Sequence, residues 1–520
     1  MPSNYSAMKK IFETAKIKEI DRYTIENEPI ESIDLVERAA SVFVNEFCRR
    51  FASHYRIYIF AGPGNNGADA LAIARILIER DYNVFAYLLN PSKILSPDCD
   101  ENRRRLKTLD NSRLVEVEAR FQPPELKPQD IVIDGLFGSG LNKPLSGGYA
   151  AMVNYINHSE STVVSIDVPS GLFGEDNKYN NLQNIIQADL TLTFEFPKLS
   201  FLFPENADFV GEWKVLPIGL HPDACVKIKT AYGLITDEYV ASLMHKRERF
   251  SHKGNFGHAL LLAGSTGKMG AAILSAGGCM RSGVGLLTVH LPGKGEPVLQ
   301  VSLPEAMTDA DSHRHYITEL PSLAGYDAIG MGPGVGMQQE TVDVLKKLLE
   351  NIGDMRLVLD ADALNIISFH SEMLRHLPQD TIITPHPKEF DRLAGSSENA
   401  YERIQKARLI ASEQKIYIVL KGAYTVVCTP LGNVFFNPSG NPGMATGGSG
   451  DVLTGMLTGL LAQGYSPEEA AIIGVYIHGF AGNLAAATFS EESLIAGDIV
   501  KMLGKAFKQM SDNDVSYLSD

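Results

Sequence analysis

At 520 residues the chain exceeds what one ordinary hydrophobic core holds, so two domains are expected. A formal charge of −15 argues against nucleic acid as a partner, and the one dense basic run, Arg103, Arg104, Arg105 and Lys107, follows Asp98, Asp100 and Glu101 and reads as a solvated helix face. Five scattered cysteines (Cys48, Cys99, Cys225, Cys279, Cys428) with no CxxC spacing argue against a disulfide framework and for a reducing, cytoplasmic setting.

In chain order, Met1 to Lys10 lacks the apolar stretch of a signal peptide. Val36, Ala39, Ala40, Phe43, Val44, Phe47 and Phe51 recur at helical spacing. A continuous run, Ile57-Tyr58-Ile59-Phe60, reads as a strand over 56–61, and a helix through Leu71, Ile73, Ile76 and Leu77 follows a glycine-rich loop. Further strands are expected at 84–88, 131–133, 163–166 and 190–194; strands alternating with helices predict a parallel sheet covered on both faces, a Rossmann-like three-layer α/β sandwich. Around 221–250 the pattern lapses into turn chemistry (His221-Pro222-Asp223) and a charged stretch, which places the domain boundary near 222 and gives domains 1–222 and 223–520. The second half restarts with a strand at 259–263, a helix at 271–280 and a strand at 285–289. Strands at 328–331, 357–359, 381–383 and 416–420 make it α/β again. The weakly polar stretch 470–489, which carries His478 and Asn483, reads as a buried helix rather than a membrane span.

Three polar loops leave strands of the first half. Gly62-Pro63-Gly64-Asn65-Asn66-Gly67-Ala68-Asp69 opens a helix, where backbone N–H groups can meet an anion and the Asn and Asp side chains a cation or ribose. The alternative is a purely structural turn. Asp134-Gly135-Leu136-Phe137-Gly138 and Asp167-Val168-Pro169-Ser170-Gly171 leave two more strands, and loops at the carboxyl ends of parallel strands converge on one crevice. These segments resemble the NAD(P)H-hydrate epimerase family over most of residues 10–220. The resemblance implies that Asn65, Asn66, Gly67, Ala68, Asp69, Gly138, Ser139, Gly140, Leu141, Asn142, Lys143, Pro144 and Asp167 meet a hydrated dinucleotide. It also implies that Asn66, Asp134 and Ser170 hold K⁺. Asp167 is the expected acid/base residue for inversion at the hydroxyl-bearing carbon, through ring-opened or iminium chemistry. Ala68 and Ala70 stand where the family usually has glycine, and two added methyl groups there are expected to crowd the loop.

In the second half, Asn441-Pro442-Gly443-Met444-Ala445-Thr446-Gly447-Gly448-Ser449-Gly450-Asp451 precedes an apolar helix through Val452, Leu453, Met456, Leu457 and Leu460. A glycine run at a helix start aims N–H groups at a phosphate, and Asp451 stands where a general base is needed. Lys421-Gly422-Ala423-Tyr424-Thr425 joins strands 416–420 and 426–428, either as a plain hairpin turn or as a nucleotide-holding edge. His386 lies between two prolines, and Asp360 and Asp362 either bind Mg²⁺ or cap a helix. This half resembles the NAD(P)H-hydrate dehydratases of the ribokinase-like superfamily, with Lys388 where that family has glycine. The resemblance implies that Lys421, Gly422, Ala423, Tyr424, Thr425 and Gly450 contact the adenine nucleotide, and that Ala271, Gly334, His386 and Asp451 contact the hydrate.

The expectation is a bifunctional repair enzyme: epimerisation of the R and S hydrates, then dehydration of the S form with ADP giving AMP and phosphate, aided by Mg²⁺. The alternative is a ribokinase-like small-molecule kinase with a non-catalytic N-terminal ligand-binding or scaffold domain; the glycine run alone fits it, whereas Asn66, Asp134, Asp167 and Ser170 together favour catalysis in the first half. Expected partners are the hydrates NADHX and NADPHX, ADP and further copies of the chain, with no nucleic acid and no membrane.

Overall fold

The computed structural model describes residues 8–513 and divides into two α/β bodies, one of residues 10–230 with 399–401, the other of 8–9, 231–398 and 402–513. The division falls after Thr230, within about ten residues of the boundary expected near 222. His221-Pro222-Asp223 is the start of a helix, Pro222–Lys227, with His221 Nδ1 accepting from Asp223 N, and Ala224 is buried with Phe12, Ile20 and Leu220 of the first body. The turn residues themselves cap the last helix of the first body.

In the first body, β1 (Arg56–Ala61), β2 (Asn83–Leu89), β3 (Leu114–Val117), β4 (Ile131–Gly135), β5 (Thr162–Ile166), β6 (Leu190–Phe194) and β7 (Glu212–Leu216) form one parallel sheet in the order β3-β2-β1-β4-β5-β6-β7. The continuous apolar run of β1 serves both faces. Ile57, Ile59 and Ala61 pack with the helices Ser32–Arg50 and Asn65–Glu79, while Tyr58 and Phe60 pack on the other side with Met152, Val153 and Ile156. Successive side chains of a strand point oppositely, so a strand covered on both faces needs apolar residues at every position. The expected basic helix face is solvated and ion-paired: Arg103 to Asp100 and Glu116, Arg105 to Glu101 and Glu37.

In the second body, β8 (Tyr232–Leu234), β9 (His258–Leu262), β10 (Leu286–Pro292), β11 (Met307–Asp311), β12 (Ala328–Met331), β13 (Arg356–Leu359), β14 (Ile382–Ile383), β15 (Tyr417–Leu420), β16 (Val426–Cys428) and β17 (Val434–Phe436) run in the order β8-β17-β16-β15-β14-β13-β12-β9-β10-β11. Pairing is parallel from β15 to β11, and β16 is antiparallel to both neighbours. The helix Ser449–Ala462 lies against the helix Met269–Arg281 backbone to backbone. A Cβ on Gly455 would stand 1.7 Å from Ser275 O, and one on Gly278 2.3 Å from Val452 O. Glycine is what permits this approach, and it sets where the start of the helix points. The helix Pro467–Phe489 has the length and composition of a membrane span but is mostly buried in this core.

Candidate active sites

In the first body, a cleft of about 580 Å³ opens at the carboxyl ends of β1, β4, β5 and β6. Gly64, Asn65, Asn66, Asp69, Gly138, Ser139, Gly140, Leu141, Asn142 and Asp167 line it, so the three loops meet as a parallel sheet requires. Gly67, Ala68, Lys143 and Pro144 do not. Gly67 and Ala68 are buried beneath the cleft, Gly67 so tightly that a Cβ would stand 1.7 Å from Gly62 O, and Lys143 and Pro144 are exposed. Ala68 and Ala70 point into the core, so the crowding expected of their methyl groups does not reach the cleft.

Asp167 leaves β5 with φ of +62°, a strained value for a residue with a side chain. Its carboxylate accepts from Thr193 Oγ1 (3.1 Å) and Phe194 N (3.2 Å) and pairs with Lys198 Nζ at 2.8 Å. Burial would raise its pKa, but the Lys198 charge and these hydrogen bonds outweigh burial and hold it below the usual carboxylate range. Two other carboxyls on the same cleft behave oppositely. Burial first, then the Asp167 charge, pushes Asp21 up to about 6, and the same two causes drive Asp69 well above its ordinary value. Lys198 and Asp21 were missed from the sequence. Lys198 is a single cation in the apolar run Phe196 to Phe203, a signal that was there to be read. Asp21 lies on the helix Thr14–Asn27, whose charged composition hides its one buried stripe.

Beside the cleft, Asp134 is fully buried and accepts from Ser170 Oγ (2.5 Å), Ser170 N (2.8 Å) and Ser165 Oγ (2.9 Å). Burial nevertheless leaves its pKa raised. Ser170 Oγ accepts from Phe137 N at 2.8 Å, tying two of the loops together. The Asn66 amide from the third loop approaches Gly138, where a Cβ would stand 3.0 Å from Asn66 Oδ1, and its Nδ2 is buried without a partner.

In the second body, the helix Ser449–Ala462 starts from Gly448 in the left-handed conformation, φ +95°, where a Cβ would strike Leu274 Cδ1 at 2.4 Å. His478 is buried, pushed down to about 4 by that burial, and as a neutral ring it donates Nε2–H to Ser449 O at 2.9 Å, fixing this turn. From the sequence, His478 served only as a mark against a membrane span. Asp451 follows in the first turn. Burial and then the Asp360 charge push it up to about 6, and its carboxylate accepts no hydrogen bond among the described residues.

Asp360 does not cap the next helix through its side chain. Its Oδ1 takes Lys421 Nζ at 2.8 Å and its Oδ2 takes Thr454 Oγ1 at 2.7 Å. Burial works against the Lys421 ammonium, but Asp360 and Glu389 overcome it and raise its pKa. Lys421 N donates to Pro385 O at 3.0 Å, which joins the hairpin Lys421 to Thr425 to the loop bearing His386. His386 is a helix cap, Nδ1 accepting from Lys388 N and Glu389 N, and its ring remains partly exposed. Lys388 is exposed. Gly450 adjoins Lys421, a Cβ there standing 3.3 Å from Lys421 Nζ. Gly334, φ +66°, abuts Ala271, with 3.1 Å between its would-be Cβ and Ala271 Cβ.

A family model described as NAD(P)H-hydrate dehydratase matches residues 259–505, and one described as YjeF-related protein N-terminus matches residues 32–200. The chain is 34% identical over 514 residues to a protein of Moorella thermoacetica named bifunctional NAD(P)H-hydrate repair enzyme Nnr, covering 96% of each chain. It is 33% identical over 527 residues to a protein of the same name from Thermofilum pendens, covering 98% of each. Among solved structures, it is similar to the ADP/ATP-dependent NAD(P)H-hydrate dehydratase of Bacillus subtilis co-crystallised with ATP/Mg²⁺, at 34% identity and a TM-score of 0.47, covering 53% of this chain and 97% of that one. With both halves matched and full-length relatives aligned from end to end, the chain belongs to the family of bifunctional NAD(P)H-hydrate repair enzymes.

Proposed function

We propose that the second body uses ADP to dehydrate the S hydrate of NADH and NADPH, and that the first body interconverts the R and S epimers. The observation that carries the reading is the meeting of Asp451, Lys421 and Asp360 at the glycine-rich start of the helix Ser449–Ala462. The added hydroxyl is a poor leaving group. Asp451 takes its proton as its oxygen attacks the β-phosphorus of ADP, AMP departs, and loss of the resulting phosphate with a ring proton restores the dihydronicotinamide. The N–H groups of Gly447 to Gly450 and the Lys421 ammonium meet the phosphate charge.

Mg²⁺ fits this site without an all-protein cage, because that ion takes most of its shell from phosphate oxygens and water. Among the described residues no group of three His, Cys, Asp or Glu is arranged to hold a metal. Both oxygens of Asp360 are committed, whereas Asp362 keeps Oδ1 with only a 3.5 Å contact to Asn365 Nδ2, and Asp362 is the residue that would hold the ion. Bound there, Mg²⁺ supplies neutralisation of phosphate charge.

In the first body, three carboxyls with pKa values pushed apart supply a base and an acid. Asp167, kept ionised, takes the hydroxyl proton as the bond from ring nitrogen to the hydroxyl-bearing carbon opens, and a protonated Asp69 or Asp21 serves the nitrogen; closure on the other face gives the other epimer. Asn66, Asp134 and Ser170 are the residues that would hold K⁺: each carries a side-chain oxygen, Ser170 is hydrogen-bonded to Asp134 and to Phe137 N, and Asn66 Oδ1 faces Gly138 of the same loop. The cation supplies a positive charge beside the buried Asp134.

The test is to incubate chemically hydrated NADH with the protein and either ADP or ATP, each freed of the other. Recovery of the dihydronicotinamide absorbance with AMP as product is expected. Turnover with ATP as efficient as with ADP, and ADP accumulating, removes the ADP assignment; a phosphorylated hydrate that persists makes the second body a kinase.

A further inference from the structure

Basic groups gather at one end of the second sheet, on residues that neither active site uses. Lys294 follows β10, and His313, Arg314 and His315 follow β11. The two loops are laced by backbone: Gly293 N donates to His313 O at 3.1 Å and Lys294 N to Arg314 O at 3.3 Å. Lys294, Arg314 and His315 are exposed. Among the described residues no carboxylate stands within ion-pair distance of Lys294 or Arg314. Asp311, at the end of β11, spends its oxygens on His313 N, Thr318 N, Thr318 Oγ1 and Glu319 N. The His315 ring is held below its usual pKa, chiefly by Lys294 and further by slight desolvation, His313 and Arg314, so all three basic neighbours act on it. Lys294 and Arg314, two cations without a carboxylate partner among the described residues and on loops laced to each other, are a local exception in a chain of net charge −15 that an anion would relieve.

The patch is joined to the hydrate side of the active site by two consecutive residues. Ser265 Oγ donates to Gly334 O at 2.6 Å, while Thr266 N donates to His315 O at 2.8 Å and Thr266 Oγ1 meets His315 Nδ1 at 3.0 Å. One short loop thus touches Gly334 on one side and the basic cluster on the other. The ADP phosphates are not the anion. Lys421 follows β15, five strands from β10, which at the usual spacing is about 24 Å. The other anion in the reaction is the dinucleotide itself, whose diphosphate and, in the NADPH form, 2′-phosphate lie away from the nicotinamide.

We propose that Lys294 and Arg314, with His313 and His315 beside them, bind a phosphate of the dinucleotide hydrate remote from its nicotinamide ring. The assignment rests on the dehydratase reading of the second body and deepens it by naming what holds the far end of the substrate. Because the cluster is exposed, its attraction for a phosphate weakens as ionic strength rises.

The variant Lys294→Glu/Arg314→Glu is compared with wild type and with Lys347→Glu/Lys346→Glu, a matched change of charge on the helix Gln339–Asn351. KM for each hydrate and for ADP, kcat, and equilibrium binding of NADP⁺ and NAD⁺ are measured at low and moderate salt. We expect the hydrate KM to rise roughly 10- to 100-fold, the scale of one or two charge-assisted hydrogen bonds, with kcat and the KM for ADP little changed. A rise confined to NADPHX assigns the patch to the 2′-phosphate; equal rises for both hydrates assign it to the diphosphate. An unchanged hydrate KM and unchanged NADP⁺ binding overturn the proposal, as does an equal effect of the matched control. Weakened NADP⁺ binding in a protein that dehydrates neither hydrate would uphold the phosphate site and discard the dehydratase reading instead.

Discussion

Lys198 Nζ lies 2.8 Å from Asp167 Oδ1, the lysine side chain 2% exposed and the aspartate 14%. Lys198 also donates to Thr193 Oγ1 at 2.9 Å and to Phe196 O at 3.1 Å, so the ammonium is surrounded by acceptors from the end of β6 and the loop after it. Lys198→Met leaves Asp167 buried and unpaired, which costs roughly 3–5 kcal/mol at neutral pH. The sign follows from the depressed pKa of Asp167. Its stabilisation is present above the unfolded carboxyl value of about 3.9 and is lost as pH falls through the lower folded value. The stability gap between variant and wild type is therefore wide at pH 7 and narrows in acid. Denaturant unfolding at both pH values checks this, and a gap that does not move with pH would detach Lys198 from the ionisation of Asp167.

If Asp451, pushed up to about 6, is the base of the dehydration, it works only when ionised. With nucleotide saturating, kcat/KM for the S hydrate should rise with pH through about 6 and level off above. Asp451→Asn should lower dehydration by about 10²–10⁴-fold and leave nucleotide binding largely intact. A flat pH–rate profile, or a folded Asn variant near wild-type turnover, removes Asp451 from the proton transfer.

The two sites lie in separate bodies with separate cores. Asp167→Ala should abolish conversion of R to S hydrate while sparing dehydration of the purified S epimer. Parallel loss of both activities in a folded variant would show that the sites are not independent.

If Asn66, Asp134 and Ser170 hold K⁺, Ser170→Ala should raise the K⁺ concentration needed for half-maximal epimerisation roughly 10–100-fold. Replacing K⁺ with a bulky organic cation should slow epimerisation and leave dehydration alone. A crystal structure grown in K⁺ should show monovalent-ion density among these side chains, and an apolar side chain occupying that space would end the assignment.

Gly455→Ala places a methyl where Ser275 O stands 1.7 Å away, in a contact between two backbones that has no flexible side chain to yield. Destabilisation of about 1–3 kcal/mol or more in the second body is expected, with loss of dehydration ahead of epimerisation. Thermal unfolding followed alongside both activities tests it; an unshifted Tm would mean the two helices part without cost.

Much was legible in the chain because periodicity and turn chemistry are local. The buried run at 56–61, the helix after it and the glycine loop before Asp451 are each determined by neighbours in sequence, and parallel-sheet topology then sends the loops at Asn66, Asp134 and Asp167 to one crevice. Tertiary contacts refined these local signals: His221-Pro222 caps a helix of the first body a few residues before the division, and Asp360, open in the sequence between metal ligand and helix cap, is the anchor of Lys421 and Thr454. The pairing of Lys198 with Asp167, the arrival of Asp21 and the raised pKa values of Asp69 and Asp451 were decided only by tertiary structure. A carboxyl's charge state depends on the burial and the charges that distant segments bring to it, and one chain position does not carry that information.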